Sequence, residues 1–131
     1  MFLYRVLLVV LGCCFCICSY SASHRPEELL QSIKGQPNEG GKIVEHFCAS
    51  CHAVKPLIPV GAPRMGKKED WEYRFKQGFN QLFQHTEEGL NTMPPRGGCF
   101  ECSDEQLMLA IEAMLPTDLG KAFVTNKKNI K

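Results

Sequence analysis

No alternating strand pattern, internal repeat or low-complexity segment stands out in this chain, which leaves an all-α domain as its reading. Charge of one sign is missing as well: 15 Lys and Arg face 14 Asp and Glu, a net charge of +1. Nucleic-acid binding calls for a basic bias, and there is none at the level of the whole chain. Nor does any apolar run reach the ~20 residues that a membrane-spanning helix needs. The run from Val6 to Cys18 is only about a dozen residues long.

That run follows Arg5 and leads into small residues. Ser19 and Ser21, or Ser21 and Ser23, fall at the minus-three and minus-one positions of a cleavage site. Residues 1–23 are therefore expected to be a secretory signal. An uncleaved anchor is one alternative. A lipoprotein signal is another, with Val10-Leu11-Gly12-Cys13 as a loose lipobox. All three send the rest of the chain across a membrane, so the expected location is the periplasm, with membrane attachment through the N-terminal segment left open. Residues 24–116 are then one small domain, and 117–131 a polar, Lys-rich, loose tail. Without Arg5 the basic and acidic residues balance at 14 each.

Four of the eight cysteines, at positions 13, 14, 16 and 18, leave with such a signal. The others form two CxxC pairs, Cys48/Cys51 and Cys99/Cys102. The first pair is followed by His52, giving Cys-Ala-Ser-Cys-His, the attachment motif of a c-type haem. Two thiols at that spacing can form thioethers to the two vinyl groups of one haem, and the next residue then supplies an imidazole to the iron. A bare CxxC would leave thioredoxin-like and zinc readings open; the trailing His makes haem the better one. Cys99 and Cys102 are expected to form a small-loop disulfide in an oxidising compartment. The alternative is a zinc site built from both pairs, but the 47 residues between Cys51 and Cys99 are long for a zinc ribbon.

His52 leaves one axial position open, and Met93 is the expected second ligand. It lies in Asn-Thr-Met-Pro-Pro-Arg-Gly-Gly, where two prolines keep the loop from collapsing into helix. Met108 and Met114 read as core filler, and Met65 stands too near the proximal loop. A bis-His site would draw on His46 or His85. Pro63 could offer its carbonyl to the other ring nitrogen of His52. Trp71 could donate to a haem propionate or simply fill the core.

The helices expected around this site number about four. Ser23, Pro26, Glu27 and Glu28 mark the start of one that ends near Gly35 or Pro37. A second begins around Asn38 to Gly40 and runs into the cysteines. A third covers Glu69 to about Glu88, interrupted at Gly78, with Trp71, Phe75, Phe79 and Leu82/Phe83 on its apolar face. Ser103 caps a last one that ends at Pro116. Lys55, Arg64, Lys67, Lys68 and Arg96 fall in or beside the intervening loops, where they could form a local basic patch.

With CxxCH, Met-Pro-Pro-Arg-Gly-Gly and a trailing CxxC-Ser-Asp-Glu, residues 36 to 115 resemble the bacterial cytochrome c5 family of class I c-type cytochromes. Gly41-Lys42, Gly61-Ala62-Pro63, Trp71 and Gly78 belong to the likeness. The resemblance implies a small all-α fold wrapped round one covalent haem, with its N- and C-terminal helices crossing. It implies Cys48 and Cys51 as attachment points, His52 and Met93 as axial ligands, and Cys99–Cys102 as the disulfide. At the crossing, where the family often has an aromatic residue, this chain offers Val44 and Ala113. The expected function is a monomeric periplasmic electron carrier between membrane-bound or periplasmic redox proteins, with no enzyme activity and no nucleic-acid partner. The alternatives are a haem peroxidase or haem-based sensor with a labile Met93, and a structural zinc module.

Overall fold

The computed structural model describes residues 25–127, with only the backbone for 124–127. The expected signal and the Ser23 cap lie outside the described residues. The first helix, α1, spans Pro26–Ile33. Pro26 sits in the first turn, where its missing N–H costs nothing, and Glu27 and Glu28 complement the positive helix end. Leu30 and Ile33 are buried, and Gly35, at φ 73°, turns the chain away.

The second helical segment, α2, covers 39–52. It is α-helical over Glu39–Ile43, widens to a π turn over Val44–Cys48 and closes as α-helix over Ala49–His52. After an irregular loop, α3 runs over Lys68–Phe75 and α4 over Phe79–Glu88. Gly78 separates them with φ 94°, as expected of that glycine. The next helix, α5, spans Asp104–Met114 behind a full capping box. Ser103 Oγ accepts from the Gln106 N–H at 3.2 Å, and Gln106 Oε1 accepts from the Ser103 N–H at 3.0 Å.

Beyond Pro116 the structure corrects the expectation of a loose tail. Thr117–Lys127 is a sixth helix, α6, within the stretch read as the 117–131 tail. The reason is one residue: Phe123 is fully buried, its ring 4.5 Å from that of Phe79. Burying a Phe contributes about 2–3 kcal/mol, enough to dock a short, otherwise polar helix. Lys68 and Asp118 add an ion pair at 2.8 Å, though both are half exposed. The described residues thus hold six main helical segments, against about four expected, besides a short 3-10 turn at Pro95–Gly98. They contain no strand, only a bridge between Leu90 and Met93, so the fold is all-α.

The centre of the fold is the crossing of α2 and α5. It is made by glycine rather than by Val44 and Ala113. A Cβ on Gly40 would land on the Leu109 carbonyl, so the backbones touch there. Val44 is fully buried beside this contact, but Ala113 faces solvent. A polar knot pins the same crossing. Glu39, only 7% exposed, accepts from Gln106 Nε2 at 3.0 Å and from the Gly35 N–H at 2.7 Å. A buried carboxylate is tolerated because donors meet both oxygens.

Candidate functional site

The π turn lies directly ahead of CxxCH. A π turn inserts one residue into the helical ladder and rotates everything after it. Here it brings Phe47, Cys48, Cys51 and His52 to the wall of a cavity of about 420 Å³. Leu82 of α4 and Leu107, Ala110 and Ile111 of α5 line other parts of it. The cavity is mostly apolar and partly open to solvent.

Both thiols of the motif are free. Burial, and after it the neighbouring Cys51, pushes the Cys48 thiol up to about 11. His52 is 7% exposed. Its Nδ1 lies 2.8 Å from the Pro63 carbonyl oxygen, which can only accept, so Nδ1 carries the hydrogen. Nε2 is left with its lone pair, the form in which imidazole binds a metal. The expected role of Pro63 is therefore present in the geometry. The loop that delivers Pro63 is held from both sides. The Met65 N–H donates to the His52 carbonyl at 2.7 Å, and the Gly66 N–H donates to the Met114 carbonyl at 2.9 Å.

Trp71 takes the core role, not the propionate one: its indole N–H donates to the Arg64 carbonyl at 2.8 Å. Arg64 in turn holds Asp70 through Nε at 2.8 Å and Nη2 at 3.2 Å, while its backbone N–H reaches the same carboxylate at 3.0 Å. Those bonds hold the Asp70 carboxyl well below its usual range, at about 2.

Met93 reaches the cavity from the loop between α4 and α5. Its backbone is clasped to Leu90 by two mutual hydrogen bonds, of 3.1 and 3.0 Å. The clasp depends on Gly89, at φ 85°, where a Cβ would stand 2.6 Å from the Met93 carbonyl oxygen. Past Met93, Pro95–Gly98 make a 3-10 turn whose Arg96 and Gly97 are left-handed. The Cys99 and Cys102 sulfurs are paired, 2.00 Å apart, which takes two thiols away from a four-cysteine zinc site. Among the described residues no group of three or more His, Cys, Asp and Glu side chains is arranged to hold a metal ion.

The other ligand candidates separate clearly. His46 is exposed and not on the cavity wall. His85 is on the wall, but its Nε2 sits 2.8 Å from the Gln81 amide nitrogen, which donates to it. Met65 and Met108 are partly buried against the core. Met114 is buried and also touches the cavity. Of the five cations expected to form a basic patch, three are held in ion pairs. Arg64 is held by Asp70, Lys68 by Asp118 at 2.8 Å and Glu72 at 3.6 Å, and Arg96 by Asp104 at 3.0 Å. What the loop after His52 presents instead is apolar: Val54, Leu57, Ile58 and Val60 are all exposed. Sequence reasoning also passed over Glu39, whose burial depends on Gln106, 67 positions away.

The residues present suit a haem. The cavity is apolar, two free thiols share one wall, an imidazole offers Nε2, and a thioether side chain enters from a separate loop. Comparison with known proteins agrees. The family described as cytochrome c oxidase, cbb3-type, subunit III matches residues 35–112. Cytochrome c5 of Azotobacter vinelandii is 37% identical over 82 residues, covering 61% of this chain and 95% of that protein. Cytochrome c5 of Ectopseudomonas mendocina is 33% identical over 85 residues, covering 63% and 94%. Cytochrome c-555 of Chlorobaculum tepidum is 33% identical over 80 residues, covering 58% and 71%. The chain belongs to the cytochrome c5 family, monohaem c-type cytochromes that carry covalently attached haem c and work in electron transfer.

Proposed function

We propose that this protein is an exported, periplasmic carrier of single electrons between respiratory redox proteins, held to its haem by Cys48, Cys51, His52 and Met93. The observation that carries the reading is the pairing of His52, its Nδ1 spent on the Pro63 carbonyl, with Met93 on the walls of one apolar cavity beside two free thiols. When bound, the haem supplies a one-electron iron couple. Cys48 and Cys51 would hold it through thioethers, and the Pro63 carbonyl, by orienting the His52 ring, would leave Nε2 to bind the iron together with the Met93 sulfur. A soft thioether favours ferrous iron and raises the reduction potential. With His52 and Met93 both engaged, neither substrate nor dioxygen would reach the metal without displacing one of them. Neither side chain would have to leave when the charge changes. Such a site moves electrons and does not make bonds.

The Cys99–Cys102 disulfide belongs to this reading, since an exported chain meets an oxidising compartment. Residues 1–23 act as the export signal, and the carrier works as a monomer. With Arg64, Lys68 and Arg96 engaged in ion pairs, docking relies on the apolar loop around Leu57 and Ile58 more than on charge.

The test is the mature protein isolated from its native host. A pyridine haemochrome spectrum of the c type, with one haem per chain and a mass above that of the bare polypeptide, is expected. Carbon monoxide and cyanide should bind slowly. Rapid uptake by the untreated protein would move the reading to a peroxidase or sensor with a labile Met93, and a colourless product would end it.

A further inference from the structure

We propose that Arg96 is the positioning residue for the Met93 sulfur, and so sets how often that ligand leaves the iron. The inference rests on the reading of Met93 as axial ligand. Arg96 is the first of three consecutive left-handed residues, at φ 57°, followed by Gly97 at 60° and Gly98 at 84°. Glycine takes that conformation freely, whereas an arginine there is strained. The strain persists only where surrounding contacts over-determine it.

Those contacts are specific. The side chain is 22% exposed. Nη2 donates to the Cys102 carbonyl at 2.6 Å and to Asp104 Oδ1 at 3.0 Å, and Nη1 lies 3.9 Å from Glu87 Oε1. One guanidinium therefore ties the ligand loop to the last turn of α4, to the disulfide turn and to the first turn of α5. The Nη2 bond to Asp104 is charge-assisted, the stronger kind, and the planar guanidinium holds its partners in a fixed relation. The neighbouring backbone reaches the ligand directly. A Cβ on Gly97 would stand 3.5 Å from the Met93 methyl, so the residue next to Arg96 backs the thioether. Arg96 itself lines the cavity with Met93. Releasing the guanidinium frees the turn behind the sulfur while leaving α2, both thioether cysteines and His52 in place.

The experiment uses ferric holoprotein and three forms: unsubstituted, Arg96→Gly and Arg96→Lys. Glycine suits the backbone, so Arg96→Gly removes the fork without adding strain. Two quantities are read: the rate of cyanide uptake, which requires the sulfur to leave, and the temperature at which the Met-to-iron charge-transfer band disappears. Far-UV dichroism follows global unfolding in the same samples. Arg96→Gly should take up cyanide about tenfold faster, the effect expected on losing a charge-assisted hydrogen bond. Its band should vanish at a temperature that falls further than the global melting point. Arg96→Lys keeps the charge but not the fork and should fall between the two. Lys68→Ala removes an ion pair elsewhere and should leave cyanide uptake unchanged. An unchanged rate in Arg96→Gly, or a rise that Lys68→Ala reproduces, overturns the proposal while the ligand assignment stands. Absence of the band in unsubstituted holoprotein overturns both.

Discussion

The two walls that meet at the cavity are built in opposite ways. The His52 wall is helix. Its residues run on from the Gly40 contact with α5, His52 is nearly sealed from solvent, and backbone bonds on either side lock the loop that orients its ring. The Met93 wall is loop. It is shaped by left-handed residues at positions 89, 91 and 96–98, and Met93 is only half-buried. Packing holds the first wall; a few discrete ties hold the second, namely the Gly89 clasp, the Arg96 fork and the Cys99–Cys102 bond. The difference assigns the labour. On the proposed reading, one side anchors the haem and the other carries the Met93 ligand, whose grip would set potential and access.

Damage to the anchoring wall should therefore be global. Gly40→Val would drive α2 off α5 and should cost about 3 kcal/mol, the upper range for overpacking a close contact. Chemical denaturation should show that loss, together with poor haem incorporation. Damage to the ligand wall should stay local. Gly89→Ala combines a left-handed backbone with a Cβ 2.6 Å from the Met93 carbonyl oxygen, a strain of about 2 kcal/mol. Haem content should be normal and the Met-to-iron band weak. If that variant loses its haem, the two walls are not separable in the way described.

A smaller effect sharpens the contrast through pH. Asp70 fastens Arg64, next to the Pro63 carbonyl that orients His52. Its carboxyl is depressed to about 2 in the folded chain, so ionised Asp70 favours folding. That contribution is complete above the ordinary carboxylate range and is lost as pH falls through about 2. Thermal melts between these limits should show declining stability, and Asp70→Asn should flatten that part of the profile. A decline of the same size in Asp70→Asn would assign the acid sensitivity to other carboxylates.

What could be read in advance follows the same division. CxxCH, the Ser103 capping box and the break at Gly78 are local signals, carried by residue type and short spacing, and they were legible. The Pro63 carbonyl was legible because eleven residues of Pro- and Gly-rich loop can fold back on a helix end. The π turn was not, since Val44–Cys48 has the composition of ordinary helix and differs only in the register of its hydrogen bonds. At the helix crossing the sequence offers Val44 and Ala113, yet the backbone contact at Gly40 leaves no side-chain signature. The pairing of Arg64, Lys68 and Arg96 was hidden for a related reason: Lys68, for one, meets Asp118, 50 positions away. In α6, a single Phe123 outweighs a polar composition because Phe79 is there to receive it. In sequence Arg96 is one more loop cation; its φ and its three partners together mark it as a tie.

The central claim is that imidazole and thioether grip one covalently held haem from opposite walls, and it is tested most directly by the ferric spectrum of Met93→Ala beside that of the unsubstituted protein. The account predicts a Met-to-iron charge-transfer band in the unsubstituted protein alone, with equal covalent haem in both. A band that survives the substitution, or a Met93→Ala protein whose haem is gone along with it, would contradict the account.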